Sequence, residues 1–197
     1  MDPTAIIIQH KSSIPTDDLL STFARSGITG IKLRPNNVNE LPSEQLIAKS
    51  SAVVLVDIPA RNNHQLHEEE IKLIKRFRNK KKILALGTGT ITAGIAHGAK
   101  VCSDHLRLGW MPATPTNHVS GQLEKFSTKI LVNSNIKLTP PEEAKILLTS
   151  GRHVVAYKHN NLLSLDLVTN IDLTSYDLII QKAIRQKASP SPRVQTE

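Results

Sequence analysis

The stretch Ile83-Leu84-Ala85-Leu86-Gly87-Thr88-Gly89-Thr90 decides how this chain folds. Its first four residues are apolar and predict a buried strand, and a tight turn of small residues leads directly into a helix over 91–97. This is the shape of a nucleophile elbow, a crowded turn that exposes one side chain above a sheet. The central position of the turn is Gly87, which has no side chain with which to attack a substrate.

The same turn has two other interpretations. Gly87-x-Gly89 before a helix N-terminus offers free N–H groups to an anion, as a phosphate loop does. However, position 92 is Thr92 where a dinucleotide fingerprint has its third glycine, and no lysine follows as in a Walker loop. Taken alone, the segment is also compatible with a tight turn that is purely structural.

Strands and helices alternate on the N-terminal side of this turn. The strands are short and apolar along their whole length, which is typical of strands buried on both faces. Such an order predicts a three-layer α/β domain around a mostly parallel sheet. The predicted strands are 5–8, 31–33, 52–56 and 83–86, with helices around 19–24 and over 67–79.

The C-terminal half has a different character. Runs with strand-like composition at 128–132, 153–157 and 162–168 are joined by turns such as Lys158-His159-Asn160-Asn161, which predicts a small antiparallel annex. A last helix is predicted near 176–184. We expect one domain over 1–187, followed by a disordered Ser/Pro tail over 188–197.

Composition limits the class of protein further. The 197 residues suffice for one well-buried domain, and the N-terminus MDPTAIIIQHK lacks the basic start and the long apolar run of a signal peptide. We therefore expect an intracellular, cytoplasmic protein with no membrane segment.

The single cysteine, Cys102, excludes an internal disulfide and is expected to be a partly buried thiol without a reactive role. The histidines show no i, i+4 pair, so neither a metal site nor a cofactor is predicted.

The net charge of +8 favours an anionic partner. The densest basic block lies late in the predicted helix that Glu68-Glu69-Glu70 opens, as a helix macrodipole favours, so it can be a solvated helix end. It can equally be a patch for phosphate groups or a partner, although 3% aromatic residues argue against base stacking. The patch candidates are Lys75, Arg76, Arg78, Lys80, Lys81 and Lys82.

Several segments, in the right order, resemble class I glutamine amidotransferases. In that family Gly-x-Cys-x-Gly joins a strand to a helix, as Gly87 and its neighbours do here, and Gly94-Ile95-Ala96-His97-Gly98-Ala99 follows. Leu108-Gly109 and the segment from Asn117 to Phe126 are similar to one branch, the glutaminase subunit of pyridoxal 5′-phosphate synthase. Val154-Val155-Ala156-Tyr157 and residues 162–174 are similar to its closing strands and His-Pro-Glu-Leu-Thr motif. The resemblance covers about 5–185 and implies a flavodoxin-like amidotransferase fold.

The departures from the family pattern fall on its chemistry. The cysteine position is Gly87, and the histidine and glutamate positions align with Asn170 and Asp172. The glycine-rich oxyanion loop is replaced by Asp57-Ile58-Pro59-Ala60-Arg61-Asn62-Asn63. Because nucleophile, base and oxyanion donors are lost together, the sequence predicts no catalytic residues and no glutamine hydrolysis.

The first functional hypothesis is therefore a pseudo-glutaminase that binds or regulates a protein partner, such as a component of a pyridoxal 5′-phosphate synthase-type complex. One alternative is a basic component of a nucleic-acid or ribonucleoprotein assembly. A second is a divergent active glutaminase or hydrolase. Residues expected to contact a ligand in the vestigial cleft are Thr88, Gly89, Thr90, Asn117 and Gln122.

Overall fold

The computed structural model describes residues 3–11, 16–116 and 128–166. They form one sheet of nine strands with helices on both faces. The strands are β1 (Thr4–Ile8), β2 (Thr29–Leu33), β3 (Ala52–Leu55), β4 (Lys82–Leu86), β5 (Lys100–Pro115), β6 (Thr128–Thr139), β7 (Lys145–Ser150), β8 (His153–His159) and β9 (Leu162–Leu165). The helices are α1 (Asp17–Arg25), α2 (Glu44–Lys49), α3 (His64–Phe77) and α4 (Gly89–Ala96), with a short 3-10 helix at Val38–Glu40.

The sheet order is β2-β1-β3-β4-β9-β8-β7-β5-β6. Its first five strands are parallel, and the remaining neighbours pair antiparallel. The predicted three-layer α/β fold with a mostly parallel centre and an antiparallel annex is thus confirmed. The annex continues the central sheet, and β5 and β6 extend from it as a long two-stranded ribbon.

Strand β1 shows why the domain has three layers. Alternate side chains of a strand point to opposite faces, so the apolar run of β1 must be covered twice. Ala5 and Ile7 pack in a core with helix α1, whereas Ile6 and Ile8 pack in a second core with α2, α3 and α4. All four are completely buried. Full burial of one such aliphatic side chain contributes about 1.5–3 kcal/mol.

The predicted strands and helices within the described residues are present, with small shifts at their ends, except that β6 continues to Thr139, well beyond the predicted 128–132. Helix α3 begins at His64, where Asn63 caps it by accepting a hydrogen bond from the Leu66 N–H. The Glu68–Glu70 segment therefore lies inside the helix and does not open it, and Glu70 is fully buried. Helix α2 and strands β5 and β7 were not predicted.

The structure does not test the two elements predicted at the C-terminus. The predicted helix at 176–184 and the tail at 188–197 lie outside the described residues. Within the described residues, no helix combines the length and the apolarity that crossing a bilayer requires.

Candidate functional site

The turn after β4 has the geometry of an elbow. Gly87 adopts a positive φ of 50°, a conformation that a side chain would strain. Its N–H donates to the Leu165 carbonyl at 3.0 Å, and its own carbonyl accepts the Thr90 hydroxyl at 2.7 Å. The Thr90 and Ile91 N–H groups donate to the Gly87 and Thr88 carbonyls. Two of the amides at the start of helix α4, those of Thr90 and Ile91, are therefore bonded within the turn.

Close packing explains the second glycine of the elbow. A Cβ atom on Gly89 would lie 2.5 Å from the Leu55 carbonyl oxygen, which is backbone of the neighbouring strand β3. Helix α4 thus begins in contact with β3, at a distance that any side chain would forbid.

Thr88 connects the elbow to the loop after β3. The Ile58 N–H donates to Thr88 Oγ1 at 3.3 Å. In the resembling enzymes the loop at this place presents N–H groups to an oxyanion. Here one of those N–H groups is bonded to a side chain of the elbow itself.

The predicted cleft residues therefore have structural partners. Thr88 holds the β3 loop, Gly89 packs on β3, and the buried Thr90 closes the turn. The remaining predicted positions, Asn117, Gln122, Asn170 and Asp172, lie outside the described residues.

Asp57 connects the loop after β3 to the loop after β1. Its side chain is fully buried, and its two carboxylate oxygens accept the backbone N–H groups of His10 at 2.6 Å and Lys11 at 2.8 Å. A carboxylate with two N–H donors is well satisfied without water. The loop after β3 is thereby tied to the loop after β1.

His10 and Glu70 form a buried pair that sequence reasoning did not identify. The ring Nε2 of His10 lies 2.9 Å from Glu70 Oε2, and Nδ1 lies 3.0 Å from the Pro35 carbonyl oxygen. A carbonyl oxygen only accepts, so Nδ1 carries a proton. The contact between Nε2 and the carboxyl group then requires one further proton, held on the ring or on Glu70.

The environment favours that shared proton. Burial raises the pKa of Glu70, because a charged carboxylate is poorly solvated there, and Asp57 adds to the rise against the opposing effect of His10. Burial alone would lower the pKa of His10, but the hydrogen bond and charge of Glu70, with the Pro35 carbonyl and Asp57, raise it overall. The second oxygen of Glu70 is buried without a hydrogen-bond partner among the described residues.

His10 also lines a cavity of about 360 Å³. The cavity lies at the carboxyl end of β1. Strand β2 pairs on one side of β1 and strand β3 on the other, so the chain leaves β1 toward one side of the sheet and β3 continues it on the other side. At this switch point the loops after adjacent parallel strands diverge and leave a crevice. The walls come from the ends of β1 (His10), β2 (Pro35, Asn36) and β3 (Pro59, Ala60, Asn62, Asn63) and from the first turn of α3 (Leu66).

The basic patch divides into cations with structural partners and exposed cations. Lys81 donates to the Ala48 and Ser50 carbonyls at the end of α2, and Arg78 donates to the Ala96 carbonyl at the end of α4. Arg76 forms an ion pair with Glu44. Lys75 and Lys80 are exposed, and burial, with Lys158 nearby, lowers the pKa of the half-buried Lys82. The patch is thus not a continuous free surface.

The other titratable candidates among the described residues form no metal site. No group of three or more potential ligands from His, Cys, Asp and Glu occurs among the described residues. His67 Nε2 lies 3.0 Å from Thr92 Oγ1, and the ring of His97 packs edge-on against His159 at 6.1 Å.

Cys102 is exposed, so the expectation of a partly buried thiol was wrong. It stands on β5, whose strand character the sequence did not reveal.

Comparisons with known proteins find structures with a similar fold, although the sequence itself has no match. No protein-family model matches the sequence, and no curated protein matches it significantly. The structure is similar to a glutamine amidotransferase from Thermotoga maritima, with a TM-score of 0.74 and 14% identity over 92% of this chain and 83% of that one. It is also similar to a GMP synthase-type protein from Thermoplasma acidophilum, with a TM-score of 0.68 and 13% identity over 93% of each chain.

A third similar structure is a glutamine amidotransferase from Methylobacillus flagellatus, with a TM-score of 0.69 and 18% identity over 97% of this chain and 81% of that one. The chain therefore has the fold of class I glutamine amidotransferases. At these identities the comparisons establish the architecture, and the chemistry must be argued from the residues.

Proposed function

We propose that this protein is a catalytically inactive, glutamine amidotransferase-like module that serves as a binding or regulatory subunit of a synthase-type complex. One observation carries the proposal: the elbow is intact in geometry, but its central residue is Gly87, at a φ of 50°. Acyl transfer from glutamine needs a nucleophile at that point, and a glycine supplies none.

The surroundings of the elbow support the same conclusion. The loop after β3 carries Pro59 where the resembling enzymes have glycines, and the Ile58 N–H is bonded to Thr88. An oxyanion hole needs N–H groups that are free and aimed at the reacting carbonyl. The aligned base position, Asn170, carries an amide that cannot take a proton at neutral pH.

A protein partner is supported by the architecture of a similar structure. The Thermoplasma acidophilum protein is a component of GMP synthase type, and the sequence resemblance is to one component of pyridoxal 5′-phosphate synthase. We therefore extend the proposal to a partner that is the synthase component of such a complex.

Glutamine turnover tests the loss of activity. The purified protein is incubated with L-glutamine, alone and with candidate synthase components of the pyridoxal 5′-phosphate and GMP types, and released ammonia is measured. We expect no turnover above a heat-treated control. Turnover well above that control, in any of the mixtures, overturns the proposal.

The variant Gly87→Cys tests whether the missing cysteine alone explains the inactivity, or whether the base and the oxyanion donors are lost as well. We expect it to remain inactive, because a thiol at position 87 has no aligned base and the Ile58 N–H of the loop after β3 is bonded to Thr88. Recovery of turnover would show that the rest of the site is competent. Affinity purification from the native source with mass spectrometry then tests the partner, and we expect enrichment of a synthase component.

A further inference from the structure

We propose that the cavity between the loops after β1, β2 and β3 binds a small phosphorylated metabolite. With about 360 Å³ it falls within the size range of small-molecule sites. It lies at the carboxyl ends of the parallel strands, at the switch point of the sheet, where open α/β sheets bind their ligands. It is separate from the elbow, so the inference holds whether or not the protein hydrolyses glutamine.

Each loop that forms the cavity has a cation next in sequence to a lining residue. Lys11 follows His10, Arg34 precedes Pro35, and Arg61 stands between Ala60 and Asn62, so each loop places an exposed cation beside a lining residue. A concave surface with charges of one sign concentrates ligands of the opposite sign.

The nearby acids reduce this field. Asp57 and Glu70 are buried, and their charge is met by backbone N–H groups and by His10. Glu40, which is exposed, accepts from the Asn36 N–H at 2.8 Å and from the Asn37 amide. Glu68 is exposed one turn further along α3. Of the exposed charged groups beside the cavity, Lys11, Arg34 and Arg61 are cations and Glu40 and Glu68 are carboxylates, so the exposed charge is positive by one.

Hydrogen-bond donors for a phosphate group come from the start of α3. The first N–H groups of a helix have no acceptor inside the helix. Asn63 uses its own N–H on the Ala60 carbonyl and its side-chain oxygen on the Leu66 N–H. Within the part of the chain that the structure describes, this leaves the N–H groups of His64 and Gln65 for a ligand. They lie at the positive end of a helix of 14 residues, between the lining residues Asn63 and Leu66.

The rest of the cavity suits the body of a metabolite. Pro35, Pro59 and Leu66 provide apolar wall, and the ring of His10 adds a flat face because both of its nitrogens are already bonded. The walls are fixed before a ligand arrives, since the Asn63 amide donates to the Asn36 carbonyl at 2.8 Å. Binding to a preorganised site loses little conformational entropy.

Titration with inorganic phosphate tests the anion site. Amide resonances of the ¹⁵N-labelled protein are followed by NMR at constant ionic strength, with sodium chloride as the exchanged salt. We expect saturable shifts at His64 and Gln65 with a Kd of about 1 mM or tighter, that is, at least about 4 kcal/mol of binding free energy. Failure to saturate up to about ten times that concentration overturns the proposal.

Glucose 6-phosphate and glucose test the assignment to a phosphorylated metabolite, because the two probes differ only in the phosphate group. Glucose 6-phosphate should shift the same amides and glucose should not. Equal binding of both sugars would overturn the proposal. So would a short RNA oligonucleotide that displaces glucose 6-phosphate at lower concentration, because the phosphate would then belong to a nucleic acid.

The variant Arg61→Ala, with Arg152→Ala as its control, tests the rim. Both arginines are exposed, but Arg152 stands in the turn between β7 and β8, away from the cavity. We expect Arg61→Ala to weaken glucose 6-phosphate binding at least about fivefold, as loss of one charge-assisted contact does, and Arg152→Ala to leave it unchanged. If both variants weaken binding equally, the effect comes from the loss of net charge and not from a contact at the cavity. That outcome would overturn the proposal. Because these experiments measure binding and not ammonia, their failure is distinct from failure of the proposed function.

Discussion

At the residue scale, the proton shared by His10 and Glu70 links stability to pH. The pKa of each group is raised in the folded protein, so the folded state holds this proton more tightly than the unfolded chain does. The stabilisation is complete below the ordinary histidine pKa of about 6.5 and is lost as pH rises through the folded values. Deprotonation would leave a buried carboxylate facing a neutral ring nitrogen, which is costly.

We predict that Glu70→Gln removes this dependence. The glutamine amide can donate to Nε2 of a neutral His10, so the contact survives without a titrating proton. Urea midpoints measured from pH 6 to pH 9 should fall in the wild type and stay nearly level in the variant.

Glu69→Gln is the control, because Glu69 precedes Glu70 on α3 but pairs with the exposed Lys72. It should follow the wild-type pH profile. The assignment fails if Glu70→Gln keeps the wild-type slope. Burial lowers the pKa of the His67 and His97 rings, so their destabilising protonation begins as pH falls below about 6.5 and affects only the acidic end of this window.

Also at the residue scale, the two glycines of α4 should respond differently to alanine. A Cβ on Gly89 meets the fixed Leu55 carbonyl, whereas a Cβ on Gly94 meets the end of the flexible Leu138 side chain at 2.7 Å. We predict that Gly89→Ala destabilises the protein by about 3 kcal/mol or more, as overpacking against backbone does. Gly94→Ala should stay within about 1 kcal/mol of the wild type, since alanine also favours the helix.

Thermal unfolding of both variants, followed by circular dichroism, measures the difference. Similar losses for the two variants would mean that helix α4 can shift away from β3, and that the contact between them does not require glycine.

At the element scale, Lys81 stabilises the end of helix α2. Its ammonium group donates to the Ala48 carbonyl at 2.6 Å and to the Ser50 carbonyl at 2.5 Å, where the helix leaves carbonyls without partners. We predict that Lys81→Ala lowers the free energy of unfolding by about 1–2 kcal/mol. The exposed neighbour variant Lys80→Ala should have no measurable effect in the same chemical denaturation experiment, and equal losses would reject the capping role.

The elements that sequence reasoning predicted share one property: their burial pattern is visible in the residues themselves. Strand β1 is apolar throughout because both of its faces are covered. Strand β5 contains Asp104, Gly109 and Pro112, and it pairs mostly with β6 in a ribbon at the far end of the sheet. Its strand conformation follows from pairing over a long sequence separation, which local composition does not encode.

The candidate site divides in the same way. The elbow was predictable because turn, strand and helix are contiguous in sequence. The cavity was not, because His10 and Glu70 are 60 residues apart and meet only when α3 packs against the end of β1. One signal was present: Glu70 occupies a position in the apolar stripe of Leu66, Leu73, Ile74 and Phe77. A carboxylate on the buried face of a helix requires a partner.

At the scale of the whole molecule, the loop over 57–63 joins the elbow to the cavity. Ile58 bonds to Thr88 at one end, Asp57 holds the loop after β1, and Asn63 bonds to Asn36 at the other end. The loop thus forms a common wall of two sites on the same edge of the sheet. The elbow of this protein has Gly87 at its centre, and its Thr88 instead fixes the position of the loop that lines the cavity.

The pair Thr88→Val and Thr88→Ser tests this coupling. Valine keeps the shape of threonine but removes the oxygen that accepts the Ile58 N–H, whereas serine keeps it. We predict that Thr88→Val lowers the free energy of unfolding by about 1–2 kcal/mol, speeds hydrogen exchange at the Ile58 amide and weakens glucose 6-phosphate binding severalfold. Thr88→Ser should resemble the wild type in all three measurements. If Thr88→Val exchanges faster at Ile58 but binds glucose 6-phosphate unchanged, the elbow and the cavity are independent, because the wall would then keep its shape without the contact to Thr88.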